Sequence, residues 1–107
     1  MNETTDVNGF LSADMLSDAA SCLKVMAHPV RLRIVEILMH GEYPVHEIAE
    51  MCGVQQHQVC EHLRLMQNCG LLSSKRNGRA VYYEIISPRL PSLIGCIRTH
   101  CGINDAP

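Results

Sequence analysis

The stretch QQHQVCEHLRLMQNC, at residues 55–69, determines how the rest of the chain is interpreted. Its apolar residues Val59, Leu63 and Met66 follow the i, i+4, i+7 spacing of a helix that buries one face. The first turn, from Gln55 to Gln58, is polar and uncharged. Because a Gln side chain can pair with both polar atoms of an adenine edge, this turn is a candidate base-reading surface in a DNA major groove. A solvated helix end has the same pattern, so the neighbouring sequence has to distinguish the two interpretations.

A shorter helix is predicted just before this stretch, over residues 45–52, after Pro44. The residues that this helix would bury are Val45, Ile48, Ala49 and Cys52. Gly53 and Val54 then form a tight turn into the longer helix. A helix, a short turn with Gly and a second helix with a polar leading edge indicate a helix-turn-helix, although an ordinary helical hairpin has the same spacing.

A basic β-hairpin is predicted after the long helix. Two runs with strand character, residues 71–75 and 80–85, flank the sequence Arg-Asn-Gly-Arg. The dipeptide Asn77-Gly78 is a strong hairpin signal because both residues of such a turn take positive φ. The cations at the predicted tip are Lys75, Arg76 and Arg79. A wing that lies on DNA phosphates would need these charges, whereas a purely structural hairpin would not.

Helices are also predicted on both sides of this central region. Ser12 is a good N-cap for a helix over residues 13–27, and Pro29 suits the first turn of a helix over residues 29–40. A last helix is predicted over residues 88–101. The first and last helices have more apolar surface than one small core requires, which makes them the candidate dimer interface. In the second helix the predicted outward-facing residues are Arg31, Arg33 and Glu36.

Together these elements predict a mainly α winged helix-turn-helix of about five helices and a two-stranded wing. We expect a flexible arm over residues 1–11, a DNA-binding and dimerisation domain over 12–102, and a tail over 103–107. A chain of 107 residues suits one domain, and small helical proteins often complete such a core by dimerising. No stretch reaches the roughly 18 apolar residues of a membrane span, and no secretion signal is recognisable, so we expect a cytoplasmic protein.

The net charge of −2 does not favour nucleic acid binding, but its distribution does. Between Val54 and Arg89 there are five basic residues against the two acids Glu61 and Glu84. Seven of the other nine acidic residues precede Glu50. The chain is therefore polarised, and its basic segment coincides with the predicted helix and wing.

The segments LKVMAHPVRLRIVEIL (23–38) and EIAEMCGVQQHQVCEHLRLMQNCGLLSSKRNGRAVYYEI (47–85) resemble the ArsR/SmtB family of small winged-helix repressors. The motifs that carry the resemblance are Ala-His-Pro-x-Arg-Leu, Val-x-x-His-Leu, Gly-Leu-Leu and a basic hairpin ending in Tyr-x-Ile. The resemblance covers residues 16–101. It implies a homodimer joined through its first and last helices. It also implies release from a palindromic double-stranded DNA operator by an inducer, often a thiophilic metal or metalloid.

The sensor sites of that family do not transfer to this chain. Where the family has Glu-Leu-Cys-Val-Cys before the recognition helix, residues 42–46 read Glu-Tyr-Pro-Val-His. Residues 88–101 do not supply the zinc ligands of the last helix. The persulfide sensors of the family have a Cys in the second helix, where this chain has Glu36.

The chain has six cysteines, and without a secretion signal they are expected to stay reduced. Cys52 and Cys69 are predicted to be small hydrophobic core residues, and Cys60 to be a small residue facing the DNA groove. These three thiols are therefore not the first candidates for a sensor.

Cys22, Cys96 and Cys101 lie on the helices of the candidate dimer interface, and His100 shares a helix face with Cys96. Thiolates with an imidazole suit soft ions such as Zn(II), Cd(II), As(III) or Hg(II). Exposed thiols equally suit oxidation or persulfide chemistry. Simple packing at the interface is the third interpretation, and the sequence leaves all three open.

The function predicted from these features is a dimeric DNA-binding repressor released by a thiophilic metal, a metalloid or a thiol-reactive compound. The predicted DNA-binding residues are Gln55, Gln56, His57, Gln58, Arg64, Lys75, Arg76 and Arg79, with Gln67 as a further candidate. The predicted sensor residues are Cys22, Cys96, His100 and Cys101. An enzyme is disfavoured because no Cys-x-x-Cys motif, nucleophile elbow or phosphate loop is present. The alternative is a winged helix without a cysteine sensor that acts in protein–protein interaction.

Overall fold

The computed structural model of the chain describes residues 9–100. In chain order they form α1 (Ala13–Met26), α2 (Pro29–Leu38), α3 (Val45–Cys52), α4 (Gln56–Asn68), β1 (Leu72–Asn77), β2 (Ala80–Ile85) and α5 (Arg89–His100). This order confirms the predicted mainly α fold with one small hairpin. Most of the predicted arm and all of the predicted tail lie outside the described residues, so the domain boundaries stay a prediction. None of the helices within residues 9–100 is long and apolar enough to cross a membrane.

Both N-terminal helices begin with a side-chain cap. The Ser12 hydroxyl accepts a hydrogen bond from the Met15 amide at 3.1 Å, as its N-cap position predicts. Pro29 is the first residue of α2, and His28 Nδ1 before it accepts from the Val30 amide at 3.2 Å. α2 ends at Leu38, two residues earlier than predicted, because the His40 amide bonds to the Ile37 carbonyl at 2.9 Å and tightens the chain into a turn.

The helix-turn-helix consists of α3 and α4, and α3 has the bounds that the sequence predicts. Gly53 closes α3 in the left-handed conformation, with φ +71°, and its amide bonds to the Ala49 carbonyl at 2.9 Å. The Val54 amide bonds to the same carbonyl at 3.2 Å. This compact turn sets the start of α4 directly after the end of α3.

The wing is an antiparallel pair of strands whose turn differs from the prediction. The register runs from Leu72 opposite Ile85 to Asn77 opposite Ala80. The two connecting residues are therefore Gly78 and Arg79, not Asn77 and Gly78. Gly78 has φ +68°, and no residue other than Gly has positive φ within residues 9–100. A Gly at the first central position is the pattern of a type II′ turn, which also suits the twist of a hairpin.

A single hydrophobic core joins the five helices to the base of the wing. Its fully buried members come from all five helices and β1 and include Met26, Ile34, Ile48, Leu63, Leu72 and Leu90. Cys52 packs against this core. The prediction that Cys69 is a core residue was wrong, because Cys69 is the C-cap of α4 and is exposed.

α1 buries less of its surface than its apolar pattern predicts. Only Cys22 and Met26 of this helix are buried. Leu16 and Leu23 are 53% and 54% exposed, so their apolar face has no partner among the described residues. On α5 the predicted inward residues are distributed differently, since Leu90 and Ile94 are buried whereas Leu93 and Ile97 are half-buried.

Candidate nucleic-acid interface

The orientation of α4 is fixed by its apolar face. Val59, Leu63 and Met66 are each 0% exposed. Because a helix repeats its faces every 3.6 residues, the opposite side is left to solvent. That side is a row of exposed residues, His57, Glu61, Arg64 and Asn68. The outer face of α4 therefore starts with an imidazole, has one acidic residue and continues with a cation.

The four polar residues at the start of α4 are all exposed, but they are not equivalent. Gln55 is the N-cap, and its backbone amide donates to Gln58 Oε1 at 3.1 Å. The oxygen of Gln58 thus closes the first turn of the helix, in the manner of a capping box. The amide groups of Gln55 and Gln56 and the ring of His57 are the larger part of the hydrogen-bonding surface that this turn offers.

The three cations of the wing differ in their surroundings. Within the described part of the chain, Arg76 and Arg79 make no ion pair, and both are exposed. Lys75 Nζ lies 2.5 Å from Glu42 Oε2 and 3.7 Å from Glu84 Oε1. The hydrogen bond and the charge of Glu42 raise the pKa of Lys75, and Glu84 adds a smaller effect. Lys75 therefore stays protonated, and two nearby carboxylates partly compensate its charge, whereas no ion pair within residues 9–100 compensates the charges of the two arginines.

Two side-chain contacts attach the wing to the helix-turn-helix. Gln67 Nε2, near the end of α4, donates to Ser74 Oγ on β1 at 3.0 Å. The Lys75–Glu42 pair joins β1 to the loop before α3. Since side chains alternate along a strand, Arg76 lies on the same face of β1 as Ser74, the face that contacts α4. The wing is therefore fixed to α4 with one arginine on the side of that helix.

A contact that the sequence did not predict joins α4 to the first two helices. Arg31 was predicted to face outward, which was wrong, because it is half-buried between elements. Its Nε donates to His62 Nδ1 at 3.1 Å, and its Nη1 donates to the Val25 carbonyl at 2.8 Å. The rings of His28 and His62 lie 4.6 Å apart. The only sequence signal is that Arg31 and His62 both belong to the motifs that carry the family resemblance.

The predicted sensor residues are not assembled into a site by the described part of the chain. Cys22 is buried, whereas Cys96 and His100 are exposed on α5. Cys101 lies outside the described residues. Within residues 9–100 no three His, Cys, Asp or Glu side chains are grouped so that they could hold a metal ion. A metal that used these residues would therefore need Cys101, a second protomer or a movement of the helices.

Cys52 on α3 and Cys60 on α4 are less accessible to reagents than the exposed Cys96. Burial raises the pKa of Cys52, and the charge of Arg33 opposes this only partly. Cys60 is half-buried on α4. Glu36 of α2 makes ion pairs with two arginines. Its carboxylate contacts Arg33 on the same helix and Arg98 Nη2 on α5, the latter at 3.0 Å.

Comparison with known proteins gives one family. The family described as "Bacterial regulatory protein, arsR family" matches residues 28–74. The HTH-type transcriptional regulator NmtR of Mycobacterium tuberculosis is 33% identical over 100 residues, which cover 89% of this chain and 83% of that protein. A probable mercury resistance operon repressor of Streptomyces lividans is 30% identical over 87 residues, covering 81% of this chain and 70% of the relative.

A solved structure with the same fold is the transcriptional repressor BigR from Xylella fastidiosa. It superposes with a TM-score of 0.71 at 28% sequence identity and covers 88% of this chain and 96% of the BigR chain. These related proteins are DNA-binding regulators and not enzymes. The winged helix-turn-helix predicted from the sequence is confirmed by this likeness.

Proposed function

The chain belongs to the arsR family of bacterial regulatory proteins and is a transcriptional repressor of that family, and we propose that it binds a palindromic operator as a homodimer. In this proposal the first turn of α4 reads bases in the major groove and the wing contacts phosphates. An inducer that reacts with or binds thiols then lowers the affinity for the operator. A dimer with two-fold symmetry requires an operator with matching symmetry.

One observation carries the DNA-binding part of the proposal. The apolar face of α4 is fully buried, and its polar first turn is exposed. The wing attached to the same helix ends in two arginines that make no ion pair within residues 9–100. Uncharged amides are suited to reading base edges, and arginines are suited to phosphate. We assign base contacts to Gln55, Gln56, His57 and the free amide nitrogen of Gln58. Backbone contacts are assigned to Arg64, Arg76, Arg79 and Lys75.

Lys75 has a more restricted role in this scheme than the two arginines. Its ammonium group already interacts with Glu42 and Glu84, and a phosphate would have to compete with these carboxylates. We therefore expect Arg76 and Arg79 to supply most of the phosphate binding by the wing.

The inducer part of the proposal rests on the placement of thiols on α1 and α5. Cys22 lies beside a groove between these helices, together with Leu23 and Leu93. Cys96 and His100 are exposed on α5, and Cys101 follows directly. The relative in Streptomyces lividans is a probable mercury resistance repressor, which supports a thiophilic inducer for this chain as well. A metal, a metalloid such as As(III), or a reactive sulfur species would act through the same thiols.

The experiment that tests the wing is a pair of binding curves on the chain's own promoter DNA and on unrelated DNA. Replacing both Arg76→Ala and Arg79→Ala should weaken binding to the two DNAs equally. The slope of log affinity against log salt should become less steep by about 2, because each phosphate contact contributes roughly 0.9. Arg33→Ala, at an exposed cation of α2 outside the first turn of α4, the wing and the candidate dimer helices, is the matched control and should leave the slope unchanged. An unchanged slope in the double variant would contradict the assignment.

A further inference from the structure

Arg31 has a position from which it joins three parts of the molecule. It lies in the first turn of α2, and its Nη1 donates to the carbonyl of Val25 near the end of α1. Its Nε donates to Nδ1 of His62, in the middle of α4. These bonds, of 2.8 Å and 3.1 Å, connect the end of one candidate dimerisation helix to the recognition helix through a single guanidinium group.

The bond to His62 requires that histidine to be neutral. Arginine Nε always has a hydrogen atom, so it can only donate, and His62 Nδ1 has to accept with its lone pair. The proton of the neutral ring is then on Nε2. A protonated ring would have hydrogen atoms on both nitrogens and could not accept from Arg31. The contact is therefore made by only one of the two charge states of His62.

The surroundings of His62 also oppose protonation. The charged and titratable groups that face the ring are Arg31 on α2, His28 at the junction between α1 and α2, and Glu61 on α4 itself. Partial burial lowers the pKa of His62 first, the charges of His28 and Arg31 lower it further, and only Glu61 opposes this shift. His28 Nδ1 is itself an acceptor, for the Val30 amide, and its ring lies 4.6 Å from that of His62.

We propose that Arg31 is a positioning residue that holds α4 in its operator-binding orientation through the neutral ring of His62, so that protonation of His62 releases this link and weakens operator binding. The inference rests on the proposed function, because it concerns how the recognition helix is held. In this role neither residue touches DNA. The link also gives a route by which a displacement of α1 at the dimer interface reaches α4.

The test compares variants of His62 in operator binding at pH 7.5 and pH 5.5. His62→Asn keeps an oxygen near the Nδ1 position that can accept from Arg31 but does not titrate. The His62→Asn variant should bind the operator with nearly wild-type affinity at pH 7.5. Between pH 7.5 and pH 5.5 its affinity should fall less than that of the wild type, because the contribution of His62 protonation is absent. His62→Leu removes the acceptor and should weaken binding at both pH values, by about tenfold. His46→Asn, at an exposed histidine of α3 to which no DNA contact is assigned, is the control for other titrating groups, and it should keep the weakening caused by His62.

A second measurement uses the free protein and does not depend on DNA. The ring of His62 is titrated by NMR in the wild type and in Arg31→Met, which keeps most of the aliphatic stem. The pKa of His62 should rise toward its ordinary value in Arg31→Met, because both the donated hydrogen bond and the nearby positive charge are removed. Equal pKa values in the two proteins would overturn the link, and so would a wild-type pH dependence in His62→Asn. If the wild type fails to bind its operator, the proposed function fails, and the titration still decides whether the link exists.

Discussion

At the scale of single residues, Gln58 shows how the fold uses a side chain that the sequence offers to DNA. Its oxygen accepts the N-cap amide of Gln55, so one of its two polar groups stabilises the helix. Arg31 shows the opposite case. It is predicted to face solvent, but it donates two hydrogen bonds that join α2 to α4 and to α1. Helical periodicity predicts the face on which a residue lies. It does not predict which neighbouring element that face meets, which depends on packing.

The thiols can be separated by substitution of single residues. Cys96→Ser and Cys101→Ser should each keep operator affinity within about twofold, because neither residue is assigned a DNA contact and the change is nearly isosteric. Both should lose release by the inducer, because a thiol supplies the ligand or nucleophile that a hydroxyl does not. The measurement is fluorescence anisotropy of operator DNA during separate titrations with Zn(II), As(III) and a persulfide donor.

Cys69→Ser is the matched control for the thiol variants. Cys69 is exposed like Cys96, but it lies at the end of α4. Its substitution should leave release unchanged. Wild-type release in both the Cys96 and the Cys101 variant would remove these thiols from the mechanism and favour a winged helix without a cysteine sensor.

At the scale of elements, the sequence predicts the type and order of the helices and strands better than the turns that connect them. The order of helices and strands follows from apolar periodicity, Pro at helix starts and Gly at helix ends, and α3 has the predicted bounds. The wing turn was displaced by one residue relative to the prediction, because strand pairing extends to Asn77 and leaves Gly78 at the first turn position. A turn signal of two residues cannot fix a register that depends on both strands.

The turn between α3 and α4 depends on the left-handed conformation of Gly53. Gly53→Ala should destabilise the protein by about 1–2 kcal/mol, because a Cβ is unfavourable at positive φ even where space is open. Gly95→Ala is the matched control. It makes the same chemical change inside α5, at a Gly without positive φ and with open space around its Cβ position, and should stabilise by up to about 1 kcal/mol. Urea unfolding at one protein concentration measures both, and an equal effect of the two substitutions would contradict this account.

At the scale of the whole molecule, the apolar face of α1 is the feature that the other elements within residues 9–100 leave exposed. Leu16 and Leu23 are more than half exposed on a helix that buries only two residues. The sequence pattern predicts that this face is apolar. It does not specify which surface covers the face, because apolar periodicity is the same for a face buried by another element and for one buried by a second molecule. The proposed dimer supplies the covering surface.

The dimer can be tested by placing a charge on that face. Leu23→Glu should weaken self-association about a hundredfold or more, since an unpaired carboxylate would be buried between protomers. Ile86→Glu is the matched control because Ile86 is an equally exposed apolar residue, 52% against 54%, outside α1 and α5. Sedimentation equilibrium should give monomers for the first variant and dimers for the second and the wild type. A monomeric wild type at the concentration that saturates its operator would refute the dimer.

The ratio of operator affinity to affinity for unrelated DNA measures whether the first turn of α4 reads operator bases. Gln56→Ala should lower this ratio by about tenfold, within the roughly 1–3 kcal/mol of a bidentate base contact, while affinity for unrelated DNA stays the same. The substitution leaves the buried face of α4 and the capping bond of Gln58 in place. If Gln56→Ala left the ratio at its wild-type value, the first turn of α4 would not be the base-reading surface.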